Sequence, residues 1–169
     1  MINKIVINGV ARSGKDTFVN LARYYLKDKT IYNISTVQEV REFCQDMLGI
    51  PFYDKSDLAR ALWHKTKMKY RDWIFWSITK NIDTMERCTG DNIVWFIHSR
   101  EPEDIQAYKN KYGETLVSLL IKRDNLSIPN NKADKGVFDY DYDVVIENND
   151  DIVDFDKEVK VFVDKYLIK

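Results

Sequence analysis

The chain has 169 residues, of which 44% are hydrophobic and 31% are charged. That length fits one domain and that composition provides for a packed core, which excludes a chain that is disordered throughout. Lysine and arginine number 26 against 27 aspartate and glutamate, for a formal net charge of −1. The chain therefore lacks the basic surface of proteins that bind nucleic-acid phosphates, and we expect no stable nucleic-acid partner.

Cysteine spacing and the N-terminal segment bear on the compartment. Cys44 and Cys88 stand far apart with no CxxC pair, which predicts free thiols in a reducing environment rather than a disulfide framework or a zinc site. The apolar run within Met1 to Val10 is broken by Asn8 and Gly9, and it is too short for a signal peptide or a membrane span. We expect a cytoplasmic protein with no membrane partner.

The chain begins with a predicted strand, a glycine loop and a helix. Lys4 to Asn8 has a β-branched centre and predicts a short buried strand. From Lys15 to Lys27 the apolar residues recur at helical spacing, which predicts a helix with one apolar face. These apolar residues are Phe18, Leu21, Ala22, Tyr25 and Leu26.

A second strand and a helix follow. Thr30 to Ile34 predicts the strand. Thr36 and Glu39 have the spacing of a capping box, in which each side chain bonds a free amide of the first helical turn. We expect the helix to end near Leu48, because Gly49 can adopt the left-handed conformation that terminates helices.

The next block is predicted to be entirely helical. Ser56 is expected to begin it, since serine is a favoured N-cap residue. Residues 57–87 contain neither glycine nor proline and keep apolar residues at helical spacing. This pattern predicts one or two long helices with a break near Tyr70.

The second half of the chain alternates strands with helices. Ile93 to Ile97 is an uninterrupted apolar run, the form of a central parallel strand. Pro102 is expected to begin a helix that ends at Gly113, and Thr115 to Ile121 and Val144 to Ile146 predict two further strands. A closing amphipathic helix is predicted from the stripe Ile152, Phe155, Val159, Phe162, Val163, Tyr166 and Leu167.

This alternation predicts an α/β fold, with a mainly parallel five-stranded sheet flanked by helices. The stretch from Lys122 to Asp143 has no clear period. Irregular stretches of this length are typical of functional flaps, so we predict a lid there.

The segment from Gly9 to Thr17 contains the pattern G-x-x-x-x-G-K between the first strand and the first helix. In that context two glycines let backbone amides curl around a phosphate, and the helix N-terminus adds its positive end. Lys15 is predicted to reach the β- and γ-phosphates of a nucleotide. The pattern predicts a P-loop NTPase fold with a nucleotide-binding loop made of Gly9, Ala11, Arg12, Ser13, Gly14, Lys15, Asp16 and Thr17.

Asp16 replaces the serine or threonine that usually follows the lysine at the magnesium position. A carboxylate is also a hard oxygen ligand of the kind that magnesium prefers. We therefore predict Asp16 as the metal ligand. The alternative is an acidic first-turn residue that is favoured by the helix dipole alone.

The segment from Ile5 to Thr17 resembles the phosphate loop of adenylate-kinase-like nucleoside monophosphate kinases, most closely the deoxynucleoside monophosphate kinases of phages and bacteria. The run from Arg12 to Thr17 carries the likeness. Animal-type phosphomevalonate kinases also have a Gly-Lys-Asp loop, and dephospho-coenzyme A kinases share the general plan. The resemblance implies a kinase that uses ATP and Mg²⁺, and it leaves the acceptor open.

A second matching segment, Phe96 to Ile105, resembles the place in this family where a central strand delivers an arginine followed by proline and an acidic residue. By this resemblance Arg100 binds the acceptor phosphate, and a surface ion pair with Glu101 or Glu103 is the alternative. Many relatives have aspartate two residues before this arginine. This chain has His98 there, which weakens a magnesium role at that position.

The helical block resembles the acceptor-binding insertion of these kinases. By this resemblance Arg60 and Arg71 bind the substrate nucleotide. Three tryptophans of the block are expected to pack in the core or in a groove, with stacking on a base as the alternative: Trp63, Trp73 and Trp76.

Two further segments match the family in order along the chain. Residues 122–124 resemble the start of the lid, where Arg123 would clamp the transferring phosphoryl group, with Lys132 and Lys135 as weaker candidates. Asp141 to Asn149 resembles the last strand and turn before the closing helix, where the adenine would lie.

These matches predict one P-loop kinase domain. Its core is expected at about 1–36, 91–122 and 143–169, its helical acceptor-binding insertion at about 37–90 and its lid at about 123–142. Lys15, Arg100 and Arg123 are the predicted catalytic residues.

The predicted reaction is ATP-dependent phosphoryl transfer to a (deoxy)nucleoside monophosphate, which gives the diphosphate. One alternative is a kinase for another small phosphorylated acceptor, such as dephospho-coenzyme A or a phosphomevalonate-like compound. The other is a regulator that binds nucleotide without transferring phosphate. The partners are small nucleotides, and the sequence leaves a homodimer open.

Overall fold

The computed structural model describes residues 1–51, 53–54, 56–90, 92–124, 126 and 136–168. Its strands are β1 (Lys4–Asn8), β2 (Thr30–Ser35), β3 (Ile93–His98), β4 (Leu116–Lys122) and β5 (Val144–Glu147). Its helices are α1 (Lys15–Tyr25), α2 (Gln38–Leu48), α3 (Asp57–Lys69), α4 (Arg71–Thr89), α5 (Pro102–Tyr112) and α6 (Ile152–Tyr166). The break expected near Tyr70 is confirmed, because α3 ends and α4 begins on either side of it.

The five strands form one sheet in the order β2-β3-β1-β4-β5. β1 pairs in parallel with both β3 and β4, and β4 pairs in parallel with β5. Parallel strands bring their carboxyl ends to one edge of the sheet, which is where such sheets bind ligands. The predicted α/β fold with a mainly parallel five-stranded sheet is confirmed.

The chain divides into two compact units. The sheet unit comprises Met1–Asn33 and Asn92–Lys169, and the helical unit comprises Ile34–Asp91 with α2, α3 and α4. The division into core, insertion and lid remains a prediction. Much of the expected lid, including Lys132 and Lys135, lies outside the described residues.

One face of the sheet is covered by α1 and α6. Phe18 of α1 is fully buried and meets Phe96 of β3 at 6.1 Å and Phe162 of α6 at 5.3 Å between ring centroids. Ile5 and Ile7 of β1 belong to the same core. Because burial of each such side chain contributes about 1.5–3 kcal/mol, this layer holds α1 and the loop before it firmly on the sheet.

The opposite face of the sheet is covered by α5. Lys4 and Val6 alternate with the apolar β1 residues of the first face and therefore point to this one. The Lys4 ammonium lies 4.9 Å from the ring centroid of Tyr112, the last residue of α5. Ile105 and Tyr108 of α5 are buried. Helices flank both faces, as predicted.

Two predicted helix ends are confirmed by their capping groups. The Ser56 hydroxyl accepts a hydrogen bond from the Ala59 backbone N–H at 3.2 Å and begins α3. Gly49 ends α2 with φ 66°, in the left-handed region.

The capping box expected at Thr36 and Glu39 is wrong. α2 begins at Gln38 without a side-chain cap hydrogen bond. Glu39 Oε1 instead accepts a hydrogen bond from the Ser77 hydroxyl of α4 at 3.2 Å. The Glu39 carboxylate therefore bonds a residue of another helix, whereas local spacing predicts a bond to the free amides at the start of α2.

Two expectations about the whole chain concern its cysteines and its hydropathy. Both cysteines are free thiols, Cys44 buried and Cys88 exposed, as predicted. No helix in the described part of the chain is long and apolar enough to cross a bilayer.

Asp143 continues the sheet just before β5 begins. The pairing of β4 with β5 begins at Leu119 and Val144. The preceding Ser118 donates its backbone N–H and its hydroxyl to Asp143 Oδ2, at 2.7 and 2.8 Å. Burial acts to raise the pKa of Asp143, but hydrogen bonds from Lys109 and Ser118 hold it below its ordinary value.

We predict that Asp143→Ala lowers the free energy of unfolding by about 1–3 kcal/mol, because the buried Ser118 N–H and hydroxyl lose their acceptor. Chemical denaturation at neutral pH measures the change. Asp141→Ala is the matched control, since Asp141 is exposed, and we expect less than about 0.5 kcal/mol for it. Equal losses in the two variants would show that the Asp143 carboxylate does not anchor β4.

Candidate functional site

The loop between β1 and α1 requires glycine at two positions. Gly9 has φ 148° and Gly14 has φ 106°, a region that side chains rarely tolerate. A Cβ on Gly9 would collide with the Ile121 carbonyl and lie 2.5 Å from Ser13 Oγ, and a Cβ on Gly14 would collide with the Asn148 amide. The loop is thus packed between the ends of β4 and β5.

Lys15, the first residue of α1, turns its side chain back over this loop. Its ammonium donates to the Gly9 carbonyl at 2.6 Å and to the Val10 carbonyl at 2.8 Å. The loop backbone closes on itself, with the Ser13 N–H donating to the same Val10 carbonyl at 3.2 Å. The α1 N-terminus and the Lys15 charge therefore face one region, which favours an anion there.

Two loop residues, Arg12 and Ser13, have features that a purely structural turn does not need. Arg12 has φ 67°, a left-handed conformation that costs a residue other than glycine about 1–2 kcal/mol. Ser13 is fully buried, and its hydroxyl has no hydrogen-bond partner among the described residues. Such strain and unmet bonding cluster at functional sites.

A cavity of about 330 Å³ opens beside this loop. Six of its lining residues are ones that the sequence predicts for nucleotide binding or catalysis: Arg12, Gly14, Lys15, Asp16, Thr17 and Arg123. The structure thus brings Arg123 to the same cavity as the loop between β1 and α1. Four lining residues were not named as site residues, although Asn148 belongs to the segment expected near the adenine: Asn148, Asp150, Ile152 and Phe155.

Two consecutive asparagines after β5 form hydrogen bonds to other segments beside this cavity. The Asn148 amide donates to the Ser13 carbonyl at 2.8 Å, and the Asn148 backbone N–H donates to the Lys122 carbonyl at 2.8 Å. Asn149 accepts from the Asp124 N–H and donates to the Asp124 carboxylate, each at 2.8 Å. A pair of asparagines directly after a short strand is the sequence signal that could have indicated this turn.

Arg100 follows β3 and lies near the phosphate loop, though not in the cavity lining. Its carbonyl accepts a hydrogen bond from the Asn8 side chain at 3.2 Å. The charges of Asp16, Lys15 and Arg100 all act on the neighbouring His98. Arg100, Lys15 and Asp16 are therefore within electrostatic range of one imidazole.

His98 is a neutral group in this charged surrounding. Burial lowers its pKa from 6.5 to about 4; Asp16 opposes this shift, while Lys15 and Arg100 add to it. The His98 Nε2 atom is hydrogen-bonded to Asn33 Oδ1 at 2.7 Å, which fits an N–H donor at that nitrogen. His98 therefore adds no charge to the site at neutral pH.

The predicted metal ligand Asp16 is exposed in the first turn of α1 and lines the cavity with the Thr17 hydroxyl. The described residues include no group of three or more His, Cys, Asp or Glu side chains able to hold a metal ion. One carboxylate and one hydroxyl fit Mg²⁺, because this ion keeps several waters and takes further ligands from substrate phosphates.

Two of the predicted acceptor residues, Arg60 and Arg71, lie in the helical unit. Arg60 is exposed on α3, and Arg71 is half-buried at the start of α4. The unit contains a mostly apolar cavity of about 250 Å³, whose lining includes neither arginine: Val40, Phe43, Thr66, Tyr70, Trp73 and Ile74. Their role in binding stays a prediction.

The three tryptophans of the helical unit differ. Trp63 is buried, as core packing predicts, and the Arg41 guanidinium lies 4.6 Å from its ring. Trp73 and Trp76 are 51% and 53% exposed, so neither lies in the core, and Trp73 lines the apolar cavity of this unit. Helical spacing alone does not say which aromatics of an amphipathic helix reach solvent.

Trp63 Nε1 and Glu39 Oε2 are among the buried polar atoms of the helical unit that have no hydrogen-bond partner among the described residues. Burial raises the pKa of Glu39, an effect that the Ser77 hydrogen bond partly offsets. Local spacing predicts only a helix cap for Glu39 and does not reveal this arrangement.

No protein-family model matches the chain, and no curated protein matches it. Solved structures do match. An APS kinase of Mycobacterium tuberculosis is 12% identical with TM-score 0.52, over 96% of this chain and 97% of that one. A shikimate kinase of Aquifex aeolicus is 14% identical with TM-score 0.51, over 96% of each chain. A kinase-like protein of Chloroflexus aurantiacus is 11% identical with TM-score 0.50, over 98% of this chain and 97% of that one.

These likenesses show the fold. The chain has the P-loop kinase fold over nearly its full described length. At 11–14% identity they do not select an acceptor, and the resemblance to nucleoside monophosphate kinases stays a prediction.

We predict that stability falls with acidification through His98. The folded protein keeps His98 neutral down to about pH 4, whereas the unfolded chain protonates it near pH 6.5. The unfolded state therefore binds more protons between these values, and the free energy of unfolding falls as pH drops through this window, by on the order of 1–3 kcal/mol.

Denaturation from pH 7 to pH 4.5 measures this effect, and His98→Gln should remove that part of the slope. His64→Gln is the matched control, because it removes the other of the two histidines and leaves His98 in place. An unchanged slope in His98→Gln would contradict the assignment.

Proposed function

We propose that this protein transfers the γ-phosphoryl group of ATP to a (deoxy)nucleoside monophosphate with the help of Mg²⁺. The observation that carries the proposal is the phosphate loop. Lys15 lies across that loop at the N-terminus of α1, beside a cavity that Arg12 and Arg123 also line. This arrangement is suited to a polyphosphate anion.

The cavity of about 330 Å³ supports ATP as the donor. Its volume is at the lower end of small-molecule sites, and its charged side carries the three cations named above. Its lining also offers apolar atoms of Ile152 and Phe155, against which a base could pack. A nucleotide has the same two parts, a charged chain and a flat ring.

Asp16 and Thr17 would hold Mg²⁺ through oxygen atoms, together with the phosphates of the nucleotide. When bound, the ion supplies positive charge that offsets the negative charge of the phosphoryl group.

Phosphoryl transfer requires little covalent chemistry from the protein, since its main demands are alignment and neutralisation of charge. In the proposal Lys15 and Arg123 contact the donor phosphates, and Arg100 holds the phosphate of the acceptor through its planar guanidinium. His98 is neutral and therefore does not attract these phosphates by charge.

The helical unit supports an acceptor with an aromatic base. Its cavity of about 250 Å³ is lined partly by exposed faces of Phe43, Tyr70 and Trp73. Outside that lining, Glu39 Oε2 and Trp63 Nε1 are buried without a partner among the described residues, which costs about 1–3 kcal/mol each. This cost favours a polar ligand for the two atoms. A nucleobase combines a stacking face with hydrogen-bonding edges. Arg60 and Arg71 remain proposed contacts of the substrate nucleotide.

We predict that purified protein releases ADP from ATP and Mg²⁺ only when a suitable monophosphate is present. A panel of ribo- and deoxynucleoside monophosphates identifies the acceptor. Lys15→Ala should lower kcat/KM by about 10²–10³-fold, because one preorganised charge on the transferring group is lost.

Lys27→Ala is the matched control, since Lys27 is an exposed lysine just beyond α1. It should retain full activity. If no nucleoside monophosphate is phosphorylated but dephospho-coenzyme A or phosphomevalonate is, the proposed acceptor is wrong and that compound takes its place. Tight ATP binding with no transfer to any acceptor would refute the kinase and leave a nucleotide-binding regulator.

A further prediction concerns the acceptor alone. Glu39→Gln and Trp63→Phe should each raise the KM of the acceptor by about tenfold, equivalent to about 1.4 kcal/mol of lost binding, with the KM of ATP unchanged. Steady-state kinetics with either substrate varied measures both values.

Glu42→Gln is the matched control for Glu39→Gln, because Glu42 lies on the same helix and is exposed. Equal changes in the KM of both substrates would indicate a general loss of structure and contradict a role in recognising the acceptor.

A further inference from the structure

Asn8, the last residue of β1, is fully buried with its amide completely bonded. Its Oδ1 accepts from the Gly9 backbone N–H at 2.7 Å. Its Nδ2 donates to the Arg100 carbonyl at 3.2 Å and to the Tyr142 hydroxyl at 2.5 Å. The Tyr142 hydroxyl in turn donates to the Val137 carbonyl at 2.7 Å.

The β1 strand does not itself need a polar side chain here. The three preceding residues are buried and apolar, and a buried amide is costly unless every polar atom is bonded. Asn8 meets this condition through two other parts of the chain, which start at Arg100 and at Tyr142. The Asn8 amide therefore joins β1 to the segments at Arg100 and Tyr142, which an apolar residue in its place would not do.

The position of these bonds gives them a specific effect. Backbone pairing of β1 with β3 runs from Lys4 and Trp95 to Ile7 and His98. The Asn8 side chain adds a link beyond that last pair. It connects the first amide of the phosphate loop to the carbonyl of Arg100.

We propose that Asn8 is a positioning residue for phosphoryl transfer: it fixes the backbone of Arg100 against the first residue of the phosphate loop. The inference rests on the proposed kinase function. It assigns Asn8 no contact with substrate. Asn8 acts through Arg100. A displacement of about 1 Å at a charge-bearing group costs up to about 10²-fold in rate, so a loss of this link should be measurable.

Tyr142 is the second hydrogen-bond partner of the Asn8 amide, and its role is different. Tyr142 packs against Val10, Leu120 and Val137, and its hydroxyl bonds the Val137 carbonyl. These contacts hold the segment after residue 136 on the sheet. Tyr142→Phe removes its hydroxyl and leaves the Asn8 bond to Arg100 in place.

The decisive variant is Asn8→Asp, because it separates the two ends of the amide. An aspartate oxygen still accepts from the Gly9 N–H, but the other oxygen faces the Arg100 carbonyl, and the two repel. We expect kcat to fall by about 30–100-fold with the KM of ATP changed by less than about threefold.

Asn8→Ser tests the same link without a buried charge and covers the case in which the aspartate variant does not fold. The serine side chain is too short for its hydroxyl to reach the Arg100 carbonyl. We expect the same fall in kcat. Tyr142→Phe, the matched control, should lose stability and keep kcat.

A double-variant cycle shows whether Asn8 acts through Arg100. In an Arg100→Ala background, Asn8→Ser should lower kcat no further, since the group that it positions is absent. Independent, multiplicative losses would overturn the inference, as would an equal fall of kcat in Tyr142→Phe. A wild-type protein that transfers phosphate to no acceptor would overturn the proposed function and this inference together, whereas failure of the cycle in an active enzyme overturns only the inference.

Discussion

The close approach of the phosphate loop to two strand ends is the constraint on which the rest of the site depends. Gly9 lies against the Ile121 carbonyl and Gly14 lies against the Asn148 amide, so neither position has room for a Cβ. The left-handed backbone at Arg12 is held between them at a cost in strain. Only with the loop so fixed do α1 and Lys15 begin at the place where the cavity opens.

Side-chain amides extend the sheet beyond the reach of its backbone pairing. Asn8 continues β1 toward Arg100, Asn148 joins β5 to the phosphate loop, and Asn149 ties the residue after Arg123. Parallel strands end at one edge, where their last N–H and C=O groups need partners. The amide of asparagine donates and accepts at once, so it satisfies these groups and fixes the loops that carry the charges.

The sequence predicted those features that depend on local pattern. The strands, the Ser56 cap and the glycine loop follow from spacing and turn chemistry, and the structure confirms them. Glu39 was assigned to a helix cap because local spacing cannot reveal a competing bond from another helix. Exposed Trp73 and buried Trp63 have the same helical periodicity, and only the packing of neighbouring helices distinguishes them. Asn148 reaches the phosphate loop across a sequence separation that no motif spans.

The balance of charge explains how a chain of net charge −1 can attract a polyanion. Attraction depends on local potential rather than on the sum, and Arg12, Lys15 and Arg123 face one cavity. A carboxylate at position 98 would lie within electrostatic range of Lys15 and would cancel part of that potential. Burial keeps His98 neutral instead. The potential in this cavity therefore depends on the three cations and on the exposed carboxylate of Asp16, which lines the same cavity.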